Sequence, residues 1–453
     1  MPPLPFDIIH TLVDFAFVGD LINFCSTCKA LHHHLANDSL WKRLCASYGL
    51  RDFTHFGGLS PFAIYTKLVY RYGPILGLWA NDHPFRGNVM EFRLFAGDEV
   101  EQGGIIGEIV SFGMHVDRDP TPPSYIRATK ISFEPEHSEE EARLLNDTAE
   151  PDAHAEARVF CCDDPSMFTA TRHSATLHVC AETTTRHHLQ FYLKTVILPD
   201  FPQPSTAWYD ESPRLPHLPA QPDFQQDQSS IVKIYPAVRL PMIWTGPSDI
   251  PKPPAISIRC LRSQEECPCA ALHVPSVPFE SLDQRLPRYY PVKRAMLPGV
   301  EPRSPDWSLQ TMEGLWYGAY GFSGTELLHL TYESNDSGSV LVATKITGDV
   351  HIPRGWISWA LQVLEEGSDD AQAFRDHWTQ SLPADAARGD SASSSPARIM
   401  CGGGSLAAQG FVNVTSCAIT GGVINADELQ IYWPHSFRTY RRYTGRDVGP
   451  MHS

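Results

Sequence analysis

The chain has 453 residues, 36 basic and 52 acidic, for a net charge of −16. Its length exceeds one compact core, so two or three domains are expected, and 38 prolines, 31 glycines and 42% apolar residues describe a folded, turn-rich chain with β structure. No Lys/Arg block interleaves with aromatics, and no apolar run reaches the roughly eighteen residues of a membrane span, so neither nucleic acid nor membrane is an expected partner.

The amino terminus carries no basic-then-apolar leader, and the expectation is a soluble protein of the cytoplasm, the nucleus or both. There the eleven cysteines are reduced and the triplets at Asn37, Asn146 and Asn413 imply no glycan.

Residues 1–50 form a helical module. Ile8, Ile9, Leu12, Val13 and Phe15 to Val18 recur at helical spacing after Pro5, which suits a first turn. Gly19-Asp20 interrupts the run, and Asp20 is the expected cap of a second helix with Leu21, Ile22, Phe24 and Cys25. Asp38 is the expected cap of a last helix with Leu40, Trp41, Leu44 and Tyr48 on one face. So small a bundle buries little alone and needs a neighbour.

Residues 51–74 read as a helical linker, with Tyr65, Leu68 and Val69 at helical spacing and a stop at Gly73-Pro74. From 75 to 445 the chain is β-rich, with a flexible tail at 446–453. Strand-like runs lie at 75–79, 89–95, 105–110, 157–162, 175–180 and 190–198. Acidic sequence near 113–156 and proline-rich sequence at 200–256, with a strand-like island at 231–234, read as insertions. Strands resume at 314–333 and 338–353, then at 356–364, and, after a third insertion at 366–399, at 402–414, 415–424 and 429–433. Tyr440-Arg441-Arg442-Tyr443 is a compact basic patch. Gly77-Leu78-Trp79 is echoed by Gly314-Leu315-Trp316, each before a glycine turn and an alternating strand, so one hairpin unit is used twice. The expected fold is α+β: a helical module, then one antiparallel β-barrel-like domain with long loop insertions, closed by pairing of its last and early strands.

The amino-terminal module resembles the F-box. Leu4-Pro5, Ile8-Ile9, Asp20-Leu21, Cys28-Lys29, Leu35 to Asp38 and Leu40-Trp41 follow that pattern in order. The resemblance implies docking on the Skp1 adaptor, and through it on a cullin-1-type scaffold, by Leu4, Pro5, Ile8, Ile9, Leu12, Leu21, Phe24, Cys28 and Trp41. The alternative is a plain helical cap with these residues in its own core.

The segment from Gly314 through Tyr320-Gly321 to Gly324–Glu326, with Thr344 to Asp349 and Ile352-Pro353, resembles the family of F-box only protein thirty-one. Members of that family are substrate receptors of Skp1–cullin–F-box ubiquitin ligases that present proteins, including D-type cyclins held by a carboxy-terminal peptide, for ubiquitination and degradation. The resemblance implies a non-catalytic receptor. Competing readings are a cullin-free Skp1-binding scaffold and a small-ligand barrel.

Lys345, Thr347 and Asp349 alternate, so they are expected on one side of a strand ending in a glycine turn, with Tyr317, Tyr320 and Phe322 as apolar walls of a substrate pocket. Against this, Asp349 can serve as a turn cap with Lys345 solvated. No cofactor is expected. A zinc ion is conceivable at Cys162, His173, Cys180 and His187, with Cys161 and His188 nearby, and a second Cys/His group is Cys260, Cys267, Cys269 and His273; neither has paired Cys-x-x-Cys spacing. No Gly-x-Ser-x-Gly, phosphate loop or dinucleotide fingerprint is present.

Overall fold

The computed structural model describes residues 5–16, 18–81, 88–111, 124–133, 155–162, 172–180, 240–241, 252–253, 255–260, 289–293, 299–319, 325–335, 338–349, 351–352, 354–365, 396–408, 412–433 and 436–443, with 367, 372 and 375. Short helices precede two antiparallel β-barrels, an α+β chain.

The module consists of α1 (Phe6–Leu12), α2 (Val18–Ser26), α3 (Lys29–His32) and α4 (Asp38–Ala46). Two boundaries differ from expectation. Helix α2 begins at Val18, so Asp20 sits inside its first turn, where an acid favours the helix dipole. The cap of α4 is Asn37, whose carbonyl oxygen accepts from the Ser39 amide at 3.0 Å. Ile9, Leu21, Cys25, Leu40, Trp41 and Leu44 bury inward, and Trp41 donates its indole N–H to the Leu35 carbonyl. Arg43 ties α4 to His10 of α1 and to Asp14 in the turn that follows it.

After the module, α5 (Pro61–Ile64), capped by Ser60, runs through a π-helical stretch Tyr65–Val69 into α6 (Tyr70–Tyr72) and a 3-10 turn Gly73–Ile75. Tyr65 packs on Trp41, and one continuous apolar core runs from the module into the first barrel.

That barrel uses β1 (Gly77–Asn81), β2 (Val89–Gly97), β3 (Gln102–Ser111), β4 (Ser124–Ser132), β5 (Arg158–Cys162), β6 (Arg172–Cys180), β8 (Ala255–Cys260) and β9 (Tyr289–Lys293). Strand β1 pairs with both β2 and β9, which closes the ring, while the two-residue β7 (Leu240–Pro241) runs parallel to β9 outside it. The second barrel is a closed ring of β10 (Gly314–Ala319), β11 (Thr325–Asn335), β12 (Gly338–Lys345), β13 (Ile357–Val363), β14 (Arg398–Ala408), β15 (Val412–Asn425), β16 (Glu428–Trp433) and β17 (Ser436–Arg442). The expectation of one barrel is therefore corrected to two. Strands β4, β8 and β9 close the first ring; β4 lies inside the acidic stretch read as an insertion. The runs at 190–198 and 231–234, and the bodies of the insertions, lie outside the described residues.

The Gly-Leu-Trp echo marks the first strand of each ring. Gly77 and Gly314 have φ of 110° and 123°, a conformation that L side chains rarely adopt. Trp79 and Trp316 each turn into the barrel and donate to the carbonyl four residues earlier, Ile75 and Met312, in the 3-10 turn at that end. A cation covers each indole: Lys252 over Trp79, bonded to the Leu76 carbonyl, and Arg442 over Trp316, bonded to the Glu313 carbonyl. The likeness extends further. With Trp79 matched to Trp316, Gly107 matches Ala343, and at that step each barrel has a β-bulge whose extra residue is Ala128 in one and Ser358 in the other.

The barrels meet through their outer faces. Leu78, Ala80, Val89, Val110 and Val292 of the first pack with Leu315, Tyr317, Leu327, Ile346 and Tyr443 from the second. Tyr125 and Tyr443 join hydroxyls across this contact at 3.2 Å, and Arg354 lies over the Tyr290 ring.

Candidate functional site

Side chains alternate in and out along β11, so Glu326 falls on the inner face with Leu328 and Leu330. Lys345 is paired opposite Leu328 and also faces inward, with only 1% of its side chain exposed. Its ammonium lies 2.7 Å from Glu326 and also contacts Asp349. Glu326 in turn accepts from Ser358 Oγ and Tyr440 Oη, each at 2.9 Å. The bulge brings the Ser358 hydroxyl to this carboxylate, and Gly318, where a Cβ would meet the Tyr440 ring at 2.4 Å, leaves room for Tyr440. A charged network thus sits among the apolar side chains of the barrel interior.

Asp349 lies beyond the end of β12, in a turn rather than a strand. Its Oδ1 accepts from the amides of His351 and Ile352, and the loop returns so that Lys345 N donates to the Trp356 carbonyl. The residue therefore caps the turn and also pairs with a buried Lys345; the solvated lysine is corrected. Burial pushes the Asp349 carboxyl up, but Lys345 and the two amides outweigh it and hold the group below its ordinary range. Burial pushes the Tyr440 hydroxyl well above its usual value, and the Glu326 charge adds to this.

The other expected pocket residues divide. Thr347 is half-buried in the turn. Tyr317 is corrected: next to the inward Trp316 it must face outward, and it packs on Tyr443 between the barrels. Tyr320 and Phe322 lie outside the described residues. Glu326, Ser358 and Tyr440 were missed as site residues. A charged residue in phase with Leu328 and Leu330 was the available signal for Glu326.

In the first barrel the same register places Asn88, Ile109 and Ala128 where the second has Glu326, Lys345 and Ser358. The fold closes without the charged cluster, so the cluster is an addition to the frame and not a requirement of it.

On the amino-terminal module the docking set also divides. Ile9, Leu21 and Trp41 are buried in the module's own core and are corrected as partner contacts, and Leu12 is half-buried. Pro5 and Cys28 are exposed, Ile8 is 44% and Phe24 40% exposed, and Phe15, which lies in a turn after α1 rather than in the expected helical run, is 83% exposed. Leu4 lies outside the described residues. Ile8 on α1, Phe15 in the turn that follows it and Phe24 on α2 are exposed apolar side chains, and such a surface gains from being covered.

The zinc grouping meets a geometric obstacle. His173 and Cys180 lie on one extended strand seven positions apart, about 23 Å at ~3.3 Å per residue, so they cannot share an ion. Cys161 turns into the first barrel's core; His187, His188, Cys267, Cys269 and His273 lie outside the described residues. No cluster of metal-ligating side chains occurs among the described residues.

Residues 296–444 match the family model of the Cyclin D1 binding domain, a span that contains the whole second barrel and its charged cluster. No curated protein matches the chain significantly.

Proposed function

We propose that the chain is the non-catalytic substrate-recognition subunit of a Skp1–cullin–F-box ubiquitin ligase, acting in the cytoplasm, the nucleus or both. The second barrel holds a cyclin-type protein, and the exposed face of the amino-terminal helices docks the Skp1 adaptor, which brings the cullin. The observation that supports this reading is that the Cyclin D1 binding domain match spans the barrel whose interior holds the Glu326–Lys345–Asp349 cluster. The exposed Ile8, Phe15 and Phe24 support the docking half, in the manner of an amphipathic helical surface laid on a partner. Such a subunit contributes by raising the effective concentration of a substrate lysine near the conjugating enzyme.

The test is co-purification of the tagged chain with Skp1, cullin and cyclin D1 under proteasome block. Wild type is expected to retain all three; Ile8→Asp/Phe24→Asp should lose Skp1 and cullin but keep cyclin. Asp349→Asn should keep Skp1 and lose cyclin, and normal cyclin binding by a folded Asp349→Asn protein would remove Asp349 from the pocket. Skp1 without cullin would favour the scaffold reading, and absence of Skp1 would end the F-box reading.

A further inference from the structure

Lysine is ordinarily among the commonest residues, yet of the 36 basic residues of this chain nine are lysine and 27 are arginine. Residues 296–444, the span of the Cyclin D1 binding domain match, hold one lysine against eight arginines. The lysines that remain are not spread over the barrel surfaces, as that side chain normally is. Lys130, Lys252 and Lys345, the barrel lysines whose side chains are described, are 0%, 8% and 1% exposed. Each ammonium is occupied: Lys130 lies 3.0 Å from Glu101, Lys252 covers Trp79 and donates to the Leu76 carbonyl, and Lys345 is held by Glu326 and Asp349. Lys29, Lys42 and Lys67, on the helices that precede the barrels, are exposed. Lys194 and Lys233 lie outside the described residues, and Lys293 is described only as a strand position of β9. A general bias toward arginine would thin lysine everywhere and leave the remainder on the surface. In the second barrel lysine instead persists only where its amine is out of reach. Arginine carries the positive charge at its surface: Arg303 is exposed, and Arg441 is 39% exposed beside Glu428 at 4.0 Å.

We propose that the second barrel is a non-acceptor surface for ubiquitin, on which arginine stands in place of lysine so that transfer goes to the bound protein; this rests on the reading of the chain as a ligase receptor. The transfer is an aminolysis. A lysine Nζ attacks the thioester carbonyl that joins the carboxyl end of ubiquitin to a cysteine of the conjugating enzyme. An isopeptide C–N bond forms, the C–S bond breaks, the cysteine leaves as a thiolate, and the surplus ammonium proton passes to solvent. The step needs an amine that can shed its proton, and a guanidinium stays protonated and does not serve. The barrel that holds a protein near the thioester is itself held there, at a similarly raised effective concentration, and unlike its client it does not dissociate. Any exposed amine on that barrel therefore competes with the amines of the client. Arginine supplies surface cations to an acidic chain without supplying a nucleophile. Burial between two carboxylates withholds the single lysine that remains, Lys345.

The experiment assembles the full-length chain with Skp1, cullin and its RING subunit, a charged conjugating enzyme and cyclin D1, and maps isopeptides by mass spectrometry. Wild type is expected to modify cyclin D1 and to carry no ubiquitin within 296–444. Arg303→Lys/Arg441→Lys keeps both charges and adds two amines. It is expected to take ubiquitin at positions 303 and 441 and to shift the ratio of modified receptor to modified cyclin several-fold toward the receptor. Arg303→Gln/Arg441→Gln removes the same guanidiniums without adding an amine and should leave that ratio at its wild-type value. Both side chains reach solvent, and the Arg441–Glu428 pair is a surface one worth little, so melting temperature and Skp1 retention are expected to match wild type. Three results each overturn the proposal and leave the ligase reading standing: ubiquitin on Lys345 of the wild type, bare positions 303 and 441 in a lysine variant that still modifies cyclin D1, or the same shift in the glutamine variant. If the receptor is modified and cyclin D1 is not, the cyclin reading fails; ubiquitin at 303 and 441 in the lysine variant then upholds the proposal, and its absence overturns it. If the chain captures no Skp1, or the complex transfers ubiquitin to no protein, the ligase reading fails and the proposal falls with it.

Discussion

Lys345 is held between two carboxylates among the apolar side chains of the barrel interior, and removing it alone leaves both charges buried without a cation. Lys345→Met is therefore expected to cost about 3–5 kcal/mol in urea unfolding, while Lys345→Met/Glu326→Gln/Asp349→Asn recovers most of that loss. His329 sits on the outer face of β11, buried, with its Nε2 lacking a hydrogen-bond partner among the described residues. Burial pushes its imidazole down from 6.5 to about 3. Between those values the unfolded chain binds a proton there that the folded chain does not, so stability falls as pH drops below about 6.5, and the loss is complete only near 3. His329→Gln should flatten the stability–pH slope in that window by up to about 1.4 kcal/mol per pH unit, read from denaturant midpoints at stepped pH.

At the scale of elements, each barrel hangs on a strand that begins with a left-handed glycine and turns a tryptophan inward under a cation. Arg442 is the stronger of the two pins, since it donates to Asp427 and to the carbonyls of Glu313, Thr311 and Ala426 while covering Trp316. Arg442→Met leaves these acceptors without their donor and should cost about 3 kcal/mol, seen as a lower melting temperature of the second barrel. The Gly-Leu-Trp echo made this frame legible in the sequence, and alternation marked most strands of the second barrel. The strands that were not legible have identifiable causes. Strand β4 carries Arg127 and Lys130 outward onto Glu101 within acidic surroundings, so its Ile126 and Ile131 did not stand out. Strands β8 and β9 are short and flanked by proline-rich chain, and β9 contains Pro291. The basic patch at the carboxyl end dissolved on folding. Arg442 is buried and Arg441 faces outward, because alternation in β17 sends neighbours to opposite faces. The site was half legible: Lys345 and Asp349 stood out, but Ser358 enters only through a bulge, which pairing patterns alone do not announce.

The whole molecule is a series of three bodies joined by apolar contact: helices on the first barrel, and the first barrel on the second. Residues 299–445 expressed alone would expose Leu315, Tyr317, Leu327 and Ile346 to water, so that fragment should self-associate in size-exclusion chromatography. Leu315→Lys/Leu327→Lys, which alters the outer face only, should return it to a monomer. The same two changes in the full chain should lower its stability by about 2–5 kcal/mol in denaturant unfolding. The shared bulge carries a consequence for how this architecture diversifies. It is a switch in side-chain address written into both frames, where one residue can be turned toward the barrel axis while every hydrogen-bonded pair on either side is kept. Alanine there leaves the lumen mute, and serine completes a polar circuit. A lineage that carries two copies of the frame can rewrite one lumen at three register positions while the other preserves the mechanical join to the helices. Chains of this build should therefore vary most, between their two barrels, at the positions of Asn88/Glu326, Ile109/Lys345 and Ala128/Ser358.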